Sequence, residues 1–195
     1  TGANIKLGLD YYLSKKSTAG IVLSGFKNIT KNTITNTAEL YDAAPVLQNK
    51  VVALSPTKRT FKNGSINLNY AYKFSTAGKE LLLNFDGLDY TSLTNQSLLN
   101  SLFTPGGGFI SKTNLISNLP ADISIKTAKA DFATPVKNGG KFEAGIKTSF
   151  INTNNVADFF DEVNTVLTVN NDFSNNFKYK ENINAAYVNY TKDWK

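Results

Sequence analysis

Seven stretches of roughly ten residues alternate apolar and polar side chains with a period of two, and this alternation limits the chain more than any other feature. Such alternation belongs to strands whose two faces meet different surroundings. From Asn4 to Leu13, Ile5, Leu7, Leu9, Tyr11 and Leu13 alternate with Lys6, Gly8, Asp10 and Tyr12. From Ser65 to Phe74, Ile66, Leu68, Tyr70, Tyr72 and Phe74 oppose Asn67, Asn69, Ala71 and Lys73. Lys141 to Phe150 repeats the pattern, and Ala19–Thr30, Glu80–Tyr90, Asp122–Ala133 and Phe177–Tyr190 carry it less regularly.

The connections alternate in length. Ser14–Thr18, Ser75–Lys79 and Lys137–Gly140 are short, the last with the Asn-Gly signature of a tight hairpin. Residues 31–59, 91–119 and 152–176 read as long irregular loops, broken by Pro45, Pro56 and the run Pro105-Gly106-Gly107-Gly108. Within the first, Lys50 to Leu54 reads as a short strand of its own, and Thr191–Trp194 reads as one further turn. In an antiparallel array every second connection falls at the same end. The three short turns are therefore expected at one rim and the long connections at the other. Loops beyond about 15 residues are uncommon in compact soluble domains, whereas transmembrane barrels pair short turns with long loops. Strands of about ten residues also match a tilted crossing of the hydrocarbon layer, where soluble strands average about 5–6.

Composition narrows the function. The chain has no Cys, His or Met, which removes thiol and imidazole chemistry and the common zinc, copper and haem ligand sets. Lack of Cys fits an extracytoplasmic setting. Asn occurs 25 times and suits turns and polar loops, while 13 Phe and 9 Tyr favour strands. The net charge of +6 rests on 20 Lys and the single Arg59; scattered Lys without Arg does not fit nucleic-acid readout. No run approaches the ~20 apolar residues of a membrane helix. The chain opens on Thr1-Gly2, which fits either a cleaved leader or an internal piece of a longer protein.

The last hairpin is the most specific part. Lys137-Asn138-Gly139-Gly140-Lys141-Phe142-Glu143-Ala144-Gly145-Ile146-Lys147 is followed, after a polar loop, by Phe177-Lys178-Tyr179-Lys180-Glu181-Asn182-Ile183-Asn184-Ala185-Ala186-Tyr187-Val188-Asn189-Tyr190. A Gly-Lys-hydrophobic-Glu-Ala-Gly strand before a Tyr-x-Glu-x-Ile-x-Ala-Ala-Tyr strand resembles the outer-membrane β-barrel family related to TonB-dependent receptors of Gram-negative bacteria, best over residues 137–191. The resemblance implies a non-enzymatic transporter in the outer membrane that takes up a ligand through its lumen and is energised by a TonB-type protein. The family's plug domain, TonB box and C-terminal aromatic have no counterpart here, and Lys195 follows Trp194.

The fold class expected is all-β: an antiparallel up-and-down transmembrane β-barrel, a seven- to eight-strand portion of a larger one. Residues 1–195 are expected to form a single barrel segment, with no plug domain and no linker recognised in them. Seven strands leave both sheet edges unpaired, so the strands 4–13 and 177–190 should border further barrel strands or a neighbouring chain rather than each other. Outer-membrane lipid is the other expected partner. Tyr11, Tyr12, Tyr72, Phe74, Phe132, Tyr190 and Trp194 sit at strand ends on the short-turn side, where an interfacial aromatic girdle would lie. No catalytic, metal or cofactor residues are expected. The acidic cluster Asp158, Asp161 and Glu162 reads as solvated loop charge, and Asp86 with Asp89, or Asp10 with Glu143, as ordinary charge rather than paired catalytic carboxylates. Two alternatives stay open: a complete small barrel with a structural or adhesive role, using Lys50–Leu54 extended as an eighth strand, and a secreted glycan-binding β-sandwich.

Overall fold

The computed structural model describes residues 1–163 and 165–192. Eight strands lie in one antiparallel sheet: β1 Gly2–Ser14, β2 Ser17–Tyr41, β3 Leu47–Lys73, β4 Glu80–Phe103, β5 Phe109–Val136, β6 Gly140–Val163, β7 Val166–Val169 and β8 Asn175–Lys192. Each of β1 to β6 pairs with the next. β7 covers only the far end of β6, and β8 pairs with the rest of it. Seven strands are long, as the alternation implies.

The short turns are where the sequence places them. Only Lys15 and Lys16 separate β1 from β2, and a 3-10 turn at Lys137–Gly139, with Gly139 at φ 75°, joins β5 to β6. Lys16 Nζ donates to Ser75 Oγ at 2.7 Å, so the first two turns meet at one rim. Phe74 meets Phe132 beside the third.

The three long loops do not exist as loops. β2 runs on to Tyr41 and β3 begins at Leu47, so Lys50–Leu54 belongs to β3 and is no separate strand. Residues 91–103 and 109–119 complete β4 and β5, and 152–163 complete β6. Thr191 and Lys192 likewise continue β8 instead of turning; Trp194 lies outside the described residues. The connections at this far rim are tight. Asp42 Oδ1 accepts from the amides of Ala44 and Val46, both at 2.9 Å, and Thr104 Oγ1 accepts from Gly108 N at 2.9 Å.

Proline made these stretches read as broken; Pro45 and Pro105 fall in the far connections, while Pro56 and Pro120 each interrupt the sheet on one side only. Pro56 stays in register with Thr33 of β2, while the β3–β4 ladder lapses between Leu54 and Thr57. Pro120 pairs with Leu93 of β4, while the β5–β6 ladder skips residues 119 and 120. A missing N–H removes one ladder bond without ending the strand. Gln96 Nε2 donates to Ser55 Oγ at 2.8 Å across the first gap.

Among the described residues no large side chain is fully buried, and the one buried apolar residue is Ala133. A single sheet without a second layer is not a β-sandwich. No ladder joins β1 to β8 among the described residues: β1 pairs with β2 and β8 with β6. The sheet stays open, with two free edges, and the closed small barrel has no eighth long strand.

Candidate functional site

Residues directly opposite in neighbouring strands share a face, so the register sorts the sheet into two surfaces. One row runs Leu9, Ile21, Leu68, Phe85, Ala128, Thr148 and Asn184. The next row on the same face runs Tyr11, Ala19, Tyr70, Leu83, Ala130, Ile146 and Ala186. This face is apolar and open: Leu9 is 69% exposed and Ile146 64%. On β3 it extends from Ile66 to Tyr72, with Phe74 just past the strand's end; from Ile66 to Phe74 is about 26 Å of chain at ~3.3 Å per residue. Tilted by about 35–45°, that length covers most of an apolar band ~25 Å tall.

The opposite face is polar and crowded. Small buried residues gather there: Gly20, Ser55, Ser117, Gly145 and Ser149. A Cβ on Gly20 would collide with the side chains of Asp10 and Asn69, and one on Gly145 with those of Tyr187 and Asp131. On the apolar face a Cβ on Gly64 would meet nothing within 4 Å. Burial of these small residues marks the polar face as the concave one, the side of a lumen, although the apolar face has tight sites of its own at Gly87, against Ile66, and at Gly140 near the short-turn rim.

Hydrogen bonds tie the concave face together. Ser24 and Ser65 hydroxyls lie 2.6 Å apart, Asn67 Nδ2 donates to Asp86 Oδ1 at 2.7 Å, and Thr127 and Ser149 hydroxyls lie 2.9 Å apart. Asp131 accepts from the Tyr187 hydroxyl and pairs with Lys129, each at 2.7 Å. Further from the short-turn rim, the same face carries a row of rings. Phe26 and Phe61 have centroids 5.9 Å apart, Phe61 and Tyr90 5.6 Å, and Phe177 stacks on Tyr179 at 6.3 Å. Residue order alone does not reveal how Phe26, Phe61 and Tyr90 adjoin, because they come from three strands and meet only through register; Phe177 and Tyr179 are two apart on one strand.

The strand-end aromatics divide between the faces. By register Tyr11, Tyr72, Phe132 and Tyr190 stand on the apolar face and Tyr12, opposite Thr18, on the polar face, while Phe74, just past β3, packs against Tyr72 and Phe132. Tyr72 and Phe74 meet edge-on at 4.8 Å, and Lys79 Nζ lies 4.9 Å from the Phe74 centroid and 5.6 Å from that of Phe132. Phe142, opposite Tyr190, joins this group; its place in the clean 141–150 alternation is the signal that could have found it.

The acidic residues form no shared site. Asp158, Asp161 and Glu162 lie on strand β6 rather than in a loop, where Asp161 accepts from Asn170 Nδ2 at 2.8 Å and Glu162 from Asn114 Nδ2 at 2.6 Å. Asp86 and Asp89 face opposite sides of β4, since Asp86 opposes Asn67 and Asp89 opposes Gly64. Asp10 and Glu143 stand on β1 and β6, strands that do not pair. At the far rim the Glu39 carboxylate accepts from the Tyr41 hydroxyl at 2.7 Å, and this bond, with the nearby negative charge, raises the phenol above its ordinary value.

An apolar convex belt, a hydrogen-bonded concave face and antiparallel up-and-down order together describe barrel wall. A search of the curated proteins gives no match. Residues 72–195 match the family model described as "Outer membrane protein beta-barrel family". The chain therefore belongs to the outer membrane protein β-barrel family, and its place is the outer membrane of a Gram-negative bacterium.

Proposed function

We propose that these strands are one sector of a larger, TonB-dependent-receptor-like barrel that takes up a ligand through its lumen. The observation that carries this reading is the open sheet, with a polar concave face and two unpaired edges on β1 and β8. In hydrocarbon, unpaired backbone groups cost several kcal/mol each, so each edge calls for a further strand. Closing these strands on themselves would leave an interior just wide enough for side chains to fill. Tyr90, Phe61, Tyr179 and Tyr187 on that face would then leave no room for cargo. In a wider barrel the same groups line a wet passage, and the projecting hairpins stand where a ligand is first captured. The energiser would act through parts of the barrel outside this sequence.

The strand-end aromatics take their roles from this placement. Tyr11, Tyr72, Phe74, Phe132 and Tyr190 would sit at the periplasmic headgroup level, because short turns are periplasmic in such barrels. Residues 1–195 would act as one barrel segment.

The test uses the intact parent protein in cells. Uptake of a ligand found by thermal-shift screening should stop when the inner-membrane proton gradient is collapsed. Uptake that continues unchanged would refute energised transport. A parent barrel in which residues 4–13 bond directly to residues 177–190 would refute the sector reading.

A further inference from the structure

The concave face carries one patch that a wet wall does not explain. There the register sets Phe26, Phe61, Tyr90, Leu88, Ile123 and Ile125 side by side across β2 to β5. Toward the short turns the same face is polar again, with Asn67 bonded to Asp86. At the other end of the patch stands Arg59, the single arginine of the chain, two residues beyond Phe61 and opposite Thr30 and Thr94. Arg59 is exposed, and its Nε donates to Thr94 Oγ1 at 3.3 Å. The ion pairs among the described residues are Lys129–Asp131 and Lys141–Glu143, so this guanidinium has no carboxylate partner there. β3 contains no Asp or Glu. On this face of β2 to β4 the nearest carboxylate is Asp86, eight residues from Thr94, about 26 Å at ~3.3 Å per residue.

We propose that the patch binds a monocarboxylate with a flat apolar body, its carboxylate on Arg59 and its body over Phe61 and Tyr90. This deepens the uptake reading and rests on it for a lumen open to cargo. Arginine selects the anion, because its planar fork meets a carboxylate through two parallel hydrogen bonds, which a lysine ammonium cannot do. The rings select the body, since aromatic faces and edges favour another flat group beyond simple burial. Length sets a limit. From Ser92, opposite Phe61, to Leu88 is four residues, about 13 Å at ~3.3 Å per residue. A second charge at the far end of the body would fall among Leu88, Ile123 and Ile125 with no cation to meet it, a desolvation cost without return. Position suits entry from outside. Phe61 and Arg59 lie five and seven residues beyond Ile66, where the belt ends on β3, on the side away from the short turns and so toward the outer mouth.

The experiment uses the full-length protein purified from outer membranes in nonionic detergent, with titration calorimetry as the readout. The probes are para-biphenyl carboxylate, its neutral carboxamide and the biphenyl dicarboxylate. Wild type should bind the monocarboxylate at least about tenfold more tightly than the other two, the worth of one hydrogen bond between charged groups. R59Q should lose that preference and bind acid and amide alike, with its Tm unchanged. R59K, which keeps the charge but not the fork, should fall between. Y90L should weaken acid and amide together, on the order of fivefold, as expected for a lost ring contact. Equal binding of acid and amide by wild type, or an undiminished preference in R59Q, would overturn the proposal. So would a wild type that binds none of the probes while R59Q lowers the Tm, because a carboxylate of the protein itself would then fill the site. Binding in detergent needs no proton gradient. Selective binding without energised uptake would therefore leave the site standing and remove the transport reading, and energised uptake without such binding would do the reverse.

Discussion

The same strands traverse two regions, and the contrast between them shows what alternation records. From the short-turn rim to about Ile66, β3 alternates strictly between Leu68 or Tyr70 on one face and Asn67 or Asn69 on the other. Beyond Arg59, toward the far rim, the same strand reads Val51, Val52, Ala53, Leu54, Ser55 and Pro56 with no period. Yet the β2–β3 ladder runs from Ser17↔Tyr72 to Glu39↔Lys50 before its one shift at the hairpin end. The backbone is equally regular in both halves. Only the surroundings differ: the belt separates lipid from lumen, whereas the far hairpins have water on both sides. Period-two patterning therefore reports a difference between two solvents rather than the presence of a strand.

Four measurements on the protein in its membrane would break or sharpen that contrast. The largest effect should come from Leu68→Arg, on the lipid face near mid-belt. It should cost about 2–4 kcal/mol in bilayer, the usual midplane penalty for a cation. Asn69→Arg, one residue along on the lumenal face, should cost far less. Folding titrations in phospholipid vesicles measure both, and equal losses would void the assignment of faces.

Next comes Gly145→Val. Its side chain would enter the space taken by Tyr187 and Asp131, and overpacking of this kind costs about 1–3 kcal/mol. Gly64→Val, on the convex face with nothing within 4 Å of its Cβ, should be tolerated. Chemical denaturation compares the two, and similar losses would mean that the concave face is not the crowded one.

Gln96→Ala should cost about 0.5–1.5 kcal/mol, a typical net hydrogen bond, because it removes the side-chain bridge to Ser55 beside Pro56. No loss at all would show that the ladder gap needs no bridge. Smallest in stability, and sharpest in topology, is an epitope inserted at Gly106. The turn Thr104–Gly108 lies at the far rim, so antibody should label it on intact cells with stability unchanged within about 0.5 kcal/mol, as for surface changes generally. The same epitope after Ser75 should be labelled only once the outer membrane is opened. Labelling in the reverse order would invert the barrel.

Much of the belt half was legible because its cues are local. Gly139 takes the positive φ that the Asn-Gly pair implies, and the turn at Ser75–Lys79 needs nothing beyond its own residues. The far half was not legible, because its cues are the ones taken for loop. Asn, Thr and proline in β2, β3 and β5 suit irregular chain, yet Thr33, Thr35 and Thr37 are β-branched and pair readily once a neighbouring strand is present. Of the strand-end aromatics, Tyr11, Tyr72, Phe132 and Tyr190 share one face by register. Tyr12 fell on the other because it directly follows Tyr11.

By itself the sequence determined which side chains along a strand share a face, where the short turns fall, and that water cannot be the solvent on both sides of the belt. Those properties follow from residues within ten positions of one another. Tertiary structure alone decided how far each strand runs past the belt, that Lys27 meets Lys62, and that Phe26, Phe61 and Tyr90 form one row. Each of these depends on the register between strands distant in sequence, and register is set by the whole ladder at once: a slip of one residue would move every side chain to the other face.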